Sequence, residues 1–155
     1  MTTPSESMLN LARNGFEQAL VRVRNAPAVV AASLYVPLTE AVWWAVCVDD
    51  ALEETTGYKN RRHAGPCGEI LLGMRYARSG LSHHWTHIVF RTGGLTVPFT
   101  VPFSIPQVAT WIPTSELPDY KGDQTTLRKH YTSSLDGRPV VKTLEAAEQW
   151  FRDAR

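Results

Sequence analysis

The chain is poor in cysteine. Two thiols, Cys47 and Cys67, in 155 residues cannot build a disulfide framework, and Cys47 falls in a strongly apolar stretch where a buried thiol is expected. No uninterrupted apolar run reaches the roughly 20 residues needed to span a bilayer. Charge of one sign is missing as well: 16 Lys plus Arg stand against 15 Asp plus Glu, for a net charge of +1. A global electrostatic argument for nucleic acid is therefore weak, and any such binding has to come from a local basic patch. Met1-Thr2-Thr3-Pro4-Ser5-Glu6 lacks a basic segment followed by an apolar one, so no signal peptide and a cytoplasmic residence are expected. There are no repeats or low-complexity tracts. With 43% hydrophobic and 20% charged residues, the composition is that of an ordinary globular domain with one core.

Periodicity predicts a mainly α fold. Pro4-Ser5-Glu6-Ser7 opens a helix, with Ser5 or Ser7 as cap, on which Met8, Leu11, Ala12, Phe16, Ala19, Leu20 and Val23 recur at three- and four-residue spacing. Asn25-Ala26-Pro27 stops it, and Ala28 to Val36 carries no clear period. Pro37 is expected in the first turn of a second helix, where its missing donor costs nothing. Leu38, Val42, Ala45, Asp49 and Leu52 form one stripe there, and Trp43, Trp44, Val46, Cys47 and Val48 cover most other directions, as on a central, buried helix. Gly57 suits its left-handed stop. Tyr58 to Gly68 reads as a loop, and a third helix is expected from about Glu69, carrying Ile70, Met74, Ala77, Leu81 and Ile88 in one angular window. Gly80 is its weak point, costing about 1 kcal/mol relative to alanine.

Beyond Ile88 the character changes. Phe90, Val97, Phe99, Val101, Phe103, Ile105, Val108 and Trp111 alternate with polar residues or proline, and Pro98, Pro102, Pro106 and Pro113 point to edge strands or an extended arm. A short helix over Leu127 to Leu135 and a C-terminal helix over Val141 to Phe151 complete the chain. The expected organisation is a single domain, 1–155: a helical core over 5–90, a β-like extension over 91–135 and a closing helix over 140–153.

The chemistry-bearing stretch is Gly73-Met74-Arg75-Tyr76-Ala77-Arg78-Ser79-Gly80-Leu81-Ser82-His83-His84. Arg78 and His83 supply a permanent cation and an imidazole that titrates near neutrality, which is what metal-free cleavage of an RNA phosphodiester needs. Arg75, one turn before Arg78, extends a phosphate-binding face or is a solvated arginine. Arg61, Arg62 and His63 form a basic loop suited to contacting RNA, although such loops are usually just solvated. Asp49 falls on an apolar stripe, and a carboxylate buried there demands a partner. Arg78, Arg75 or a histidine of the third helix is the natural one, in a structural ion pair or in orienting a catalytic group. Trp43 and Trp44 point about 100° apart, so one packs inside and the other meets a partner. Stacking on bases is the rarer use of such a pair.

An arginine, a polar residue and a histidine after four to six positions, on the third of three expected helices, resembles the signature of the HEPN superfamily of all-helical proteins. Here it is carried by Arg78, Ser79 and His83, with His84 at one residue longer spacing. The resemblance covers roughly residues 5 to 90 and leaves Phe90 to Leu135 unaccounted for. Asparagine commonly follows the arginine in that family, and this chain has Ser79. The resemblance implies a homodimer that joins two arginine–histidine pairs in one cleft. It would cleave RNA without metal or other cofactor, leaving a 2',3'-cyclic phosphate, as a toxin or defence component with an antitoxin or other protein partner and no membrane. On an ideal helix five residues turn about 500°, which leaves Arg78 and His83 some 140° apart, so a second subunit is one way to unite them.

Two other readings remain open. The same fold serves as a non-catalytic interaction module, favoured by Ser79 and the near-neutral charge. Alternatively His83 and His87, four residues apart, share a metal with Cys67, His63 or His84, although neither a glutamate between the pair nor a paired-cysteine motif is present.

Overall fold

The computed structural model describes residues 4–27, 31–84, 91–93, 96–97, 103–104, 108–117 and 124–154. These fold mainly as helices: α1 (Pro4–Asn25), α2 (Ala31–Glu53), α3 (Tyr58–His63), α4 (Pro66–His84), α5 (Thr125–Ser134) and α6 (Val140–Asp153). Short strands β1 (Arg91–Gly93), β2 (Thr96–Val97), β3 (Phe103–Ser104) and β4 (Val108–Thr110) lie between α4 and α5.

The apolar stripes meet in one core. Ala12, Phe16, Ala19, Leu20 and Val23 of α1 pack on Leu34, Leu38, Ala41, Val42, Ala45 and Val48 of α2. Ile70, Leu71, Met74 and Ala77 of α4 and Val140, Leu144, Ala147 and Phe151 of α6 complete it. Phe16 meets Phe151 edge-on, with ring centroids 5.4 Å apart. Met8 and Leu11, expected on the inward stripe of α1, are instead 62% and 55% exposed. The buried stripe begins only at Ala12, because the turn of α1 carrying Met8 and Leu11 borders an open groove.

Three boundaries differ from expectation. The second helix starts at Ala31, six residues before Pro37. Proline there gives up one backbone hydrogen bond, but Leu34 and Leu38 on either side are buried, so the stripe holds the backbone helical through it. The segment Tyr58–His63 coils into α3 rather than a loop, entered through Gly57 at φ 82°, a left-handed conformation natural to glycine. Tyr58 and Arg62, four apart, form its buried face. The next helix begins at Pro66, ahead of Glu69, and runs through Gly80 to His84, with proline tolerated in the first turn. Ile88, placed by its spacing on this helix, lies outside the described residues, as do Pro98, Pro102 and Pro106.

The β-like extension is real among the described residues and is made of paired edges. Strand β1 pairs antiparallel with β4, Arg91 opposite Thr110 and Gly93 opposite Val108, and β2 pairs with β3 inside them. Its base is fastened to the bundle by Trp111, which is fully buried. The Trp111 indole Nε1 donates to Thr143 Oγ1 of α6 at 2.7 Å, and its ring sits edge-on to Tyr131 of α5. The Trp111 backbone N–H donates to Arg138 O, and its carbonyl accepts from Gly137 N–H.

Helices α4 and α5 approach closely at Gly73. A Cβ built there would lie 2.7 Å from Ser134 Oγ and 3.1 Å from Leu135 Cγ. A second contact of this kind joins α1 to α2, where a Cβ on Gly15 would lie 2.5 Å from the Trp44 ring. Gly73→Val should cost about 1–3 kcal/mol through overpacking, read as a lowered Tm by circular dichroism. Gly65→Ala, which meets nothing within 4 Å, should leave the melt unchanged.

Candidate functional site

The polar centre of the molecule grows from Asp49, which is 1% exposed. Its Oδ1 accepts from the Tyr58 hydroxyl at 2.7 Å, and its Oδ2 from Arg62 NH1 and from Arg75 Nε, both at 2.7 Å. The Tyr58 oxygen in turn accepts from Trp150 Nε1 at 3.1 Å. Glu53, one turn beyond Asp49, takes Arg62 at 2.5 Å and Arg75 at 3.1 Å. Asp50 takes Arg75 at 2.6 Å. Residues of α2, α3, α4 and α6 are thus tied to one carboxylate and its neighbours.

Of the candidate partners of Asp49, Arg75 is the one that pairs with it, joined by Arg62. Arg62 was expected on an RNA-contacting loop. It is instead 5% exposed, because the helical coiling of α3 turns Tyr58 and Arg62 inward together, while Arg61 and His63 stay exposed. Arg75, which its position suits to a phosphate-binding face, to a solvated surface or to pairing with Asp49, has its guanidinium engaged by Asp49, Asp50 and Glu53. Burial works against the charge of Arg62, but the hydrogen bond and attraction of Asp49, then of Glu53, outweigh it and raise its pKa. Burial likewise opposes Arg75, and the charge of Asp49, with Asp50, raises its pKa.

Arg78, one turn along α4 from Arg75, lies at the open edge of this cluster. Its side chain is 34% exposed, and its nearest carboxylate contact among the described residues, Asp50, is at 3.8 Å. The guanidinium carbon sits 5.6 Å from the centre of the Trp43 ring, within cation–π range. Trp43 is itself 50% exposed, whereas Trp44 packs partly on the core. One tryptophan thus packs inside and the other faces out. Ser79 points elsewhere: its Oγ accepts from Gln124 Nε2 at 2.8 Å, just ahead of α5. The backbone of His83 and His84 closes α4; their side chains, and all of His87, lie outside the described residues.

Next to Arg78 lies a groove of about 570 Å³ between α1 and α2, lined by Met8, Leu11, Ala12, Trp44, Cys47 and Ala51 with Asp50 and Glu54. Asp50 belongs both to this groove and to the arginine cluster. Cys47, expected buried, is only half-buried; burial first, then the charge of Asp50, raises the pKa of its thiol. Among the described residues no three of His, Cys, Asp and Glu gather as metal ligands would. No helix among them is long and apolar enough to cross a membrane.

The sequence did not announce Glu53, Tyr58, Trp150 or Gln124 as members of these networks. The four-residue spacings Asp49–Glu53 and Tyr58–Arg62 were the available signals. A comparison with protein-family models, with curated proteins and with solved structures finds no match to this chain.

Asp49→Ala should destabilise the fold by about 3–5 kcal/mol in a urea titration, since it leaves buried guanidinium unpaired. Arg61→Ala, at an exposed position, should change stability by no more than about 0.5 kcal/mol. The pH dependence follows from two shifted groups. Burial opposes the Glu53 charge, but Arg62, Lys59 and Arg75 outweigh it and lower its pKa from the ordinary 4.5. Its contribution is present above that value and lost as pH falls through the lower folded one. Burial, then the charge of Asp49, raises the Tyr58 phenol above its ordinary 10.0. That contribution is complete below the ordinary value and erodes as pH climbs from there. Melting temperature against pH should therefore fall on both sides, and Glu53→Gln should flatten the acid limb.

Proposed function

We propose that the chain is a HEPN-like, metal-independent endoribonuclease acting as a homodimer, in which Arg78 and His83 carry the chemistry. One observation supports this above the rest. Of the three guanidiniums gathered around Asp49, Asp50 and Glu53 of α2, those of Arg62 and Arg75 are held at hydrogen-bond distance, while that of Arg78 stays partly open, with its nearest acid among the described residues at 3.8 Å. A scissile phosphate can displace so loose a contact, and a guanidinium fork matches its oxygens without losing charge.

In this reading an imidazole, His83 or the adjacent His84, takes the proton of the 2'-hydroxyl as the 2'-oxygen attacks phosphorus. Arg78 stabilises the charge that builds on the phosphoryl oxygens. The bond to the 5'-oxygen breaks, that oxygen is reprotonated by water or a second imidazole, and a 2',3'-cyclic phosphate and a 5'-hydroxyl remain. Ser79 orients α4 against Gln124, and Asp49 holds α4 in place through Arg75. Exposed Arg61 supplies a peripheral phosphate contact. Because Arg78 and His83 stand about 140° apart on an ideal helix, the second copy completes the cleft. A toxic or defensive role beside a neutralising protein partner, in the cytoplasm, fits such an activity.

A second reading, a non-catalytic dimeric module of the same architecture, is favoured by the apolar groove and the exposure of Met8 and Leu11 on its wall. The two part on one experiment. Pure protein incubated with RNA in a chelator should yield 2',3'-cyclic ends, and Arg78→Ala and His83→Ala should each lower the rate by about 10²–10³-fold. Intact RNA with the unaltered protein leaves the module.

A further inference from the structure

Trp43 is the one large aromatic of α2 that the core does not use. Leu34, Leu38, Ala41, Val42, Ala45 and Val48 of the same helix belong to the core, and Trp44 packs against it. The indole of Trp43 is left 50% exposed. Burial of Trp44 against α1 and the 100° step between neighbours turn it out. What it meets there is a cation: the Arg78 guanidinium, 5.6 Å from the ring centre. Helices α2 and α4 run antiparallel at this point, since Asp49 meets Arg75 while Trp43 meets Arg78. Trp43 therefore lies on the side of the arginine cluster from which α4 continues towards His83 and His84.

We propose that Trp43 is a stacking platform for an unpaired nucleobase beside the phosphate held by Arg78. This rests on the ribonuclease reading for the identity of the ligand and adds to it a binding residue. An exposed cation–π contact is weak, and stacking of a base on an indole is stronger. An arriving base thus displaces the guanidinium from the ring and frees it for the adjoining phosphate. The guanidinium already lies over the ring, so a base that takes its place there leaves the cation within reach of the same nucleotide's phosphate. A base within a duplex has its faces covered by its neighbours and cannot use the platform. No hydrogen bond reads the base in this arrangement, and tolerance of base identity is expected.

The test uses a fluorescently labelled 2'-O-methyl RNA dodecamer, which lacks the attacking hydroxyl and so reports binding without cleavage. Trp43→Ala should weaken binding by about 10- to 100-fold. Trp43→Phe should stay within a few-fold of the unaltered protein, and the same sequence as a duplex should bind more weakly than the single strand. Trp43 is exposed, so circular dichroism should show the alanine variant folded. Equal binding by Trp43→Ala and the unaltered protein, with loss only in Arg78→Ala, overturns the platform and leaves the nuclease reading standing. Binding that depends on Trp43, with the all-ribose strand of the same sequence left intact, keeps the platform and removes the nuclease. No binding by the unaltered protein overturns the platform, and if the all-ribose strand also stays intact it overturns the nuclease as well.

Discussion

A single carboxylate, held almost out of reach of water, sets the relation between four helices. Asp49 is offered a phenol by α3 and guanidiniums by α3 and α4, and the phenol is in turn held by an indole from α6. An ion in so low a dielectric is tolerable only when its partners are correctly placed, so the arrangement acts as a gauge. A rotation of α4 or a slip of α3 would strand charge rather than merely loosen packing. The apolar contacts supply the larger driving force, but they are non-directional. The hydrogen bonds around Asp49 choose one register among those the apolar stripes permit.

The same constraint divides the basic residues into two groups. Arg62 and Arg75 are consumed by the interior, and Arg61 and Arg78 are not. From spacing alone Arg75 and Arg78 look alike, one helical turn apart on the same face. They differ in depth: the level of Arg75 coincides with Asp49 and Glu53, and that of Arg78 with Asp50 at the rim and with Trp43. Sequence periodicity gives an angle around a helix and says nothing about which acid stands opposite on the neighbouring one. The Asp49 demand for a partner could be read in advance; its choice of Arg75 over Arg78 could not.

Where local signals agree, the fold is legible. The α1 stop at Asn25-Ala26-Pro27, the short α5 and the closing α6 stand where stripe and punctuation place them. The misreadings share a cause. Pro37 looks like a beginning, yet buried Leu34 and Leu38 on either side carry the helix across it. Tyr58 to His63 looks like a basic loop, yet the interior takes two of its side chains and coils it. In both, tertiary burial overrides a local preference. The extension is a third case: Trp111 reads as one more alternating aromatic, and only the bonds to Thr143 and to the turn at Gly137–Arg138 make it the joint between ribbon and bundle. Arg78 of the short arginine–serine–histidine motif can be placed in its surroundings, and Ser79 is drawn away from it towards Gln124.

Gly15 does more than permit a tight contact. Because a hydrogen stands there in place of a methyl, the Trp44 ring can lie flat on α1, and an indole seated in that notch locks the azimuth of the entire second helix. Every outward-facing residue of α2 inherits its bearing from this notch. A lineage could therefore re-aim the exposed aromatic, or retire it, by changing a residue on another helix that touches neither Trp43 nor Arg78.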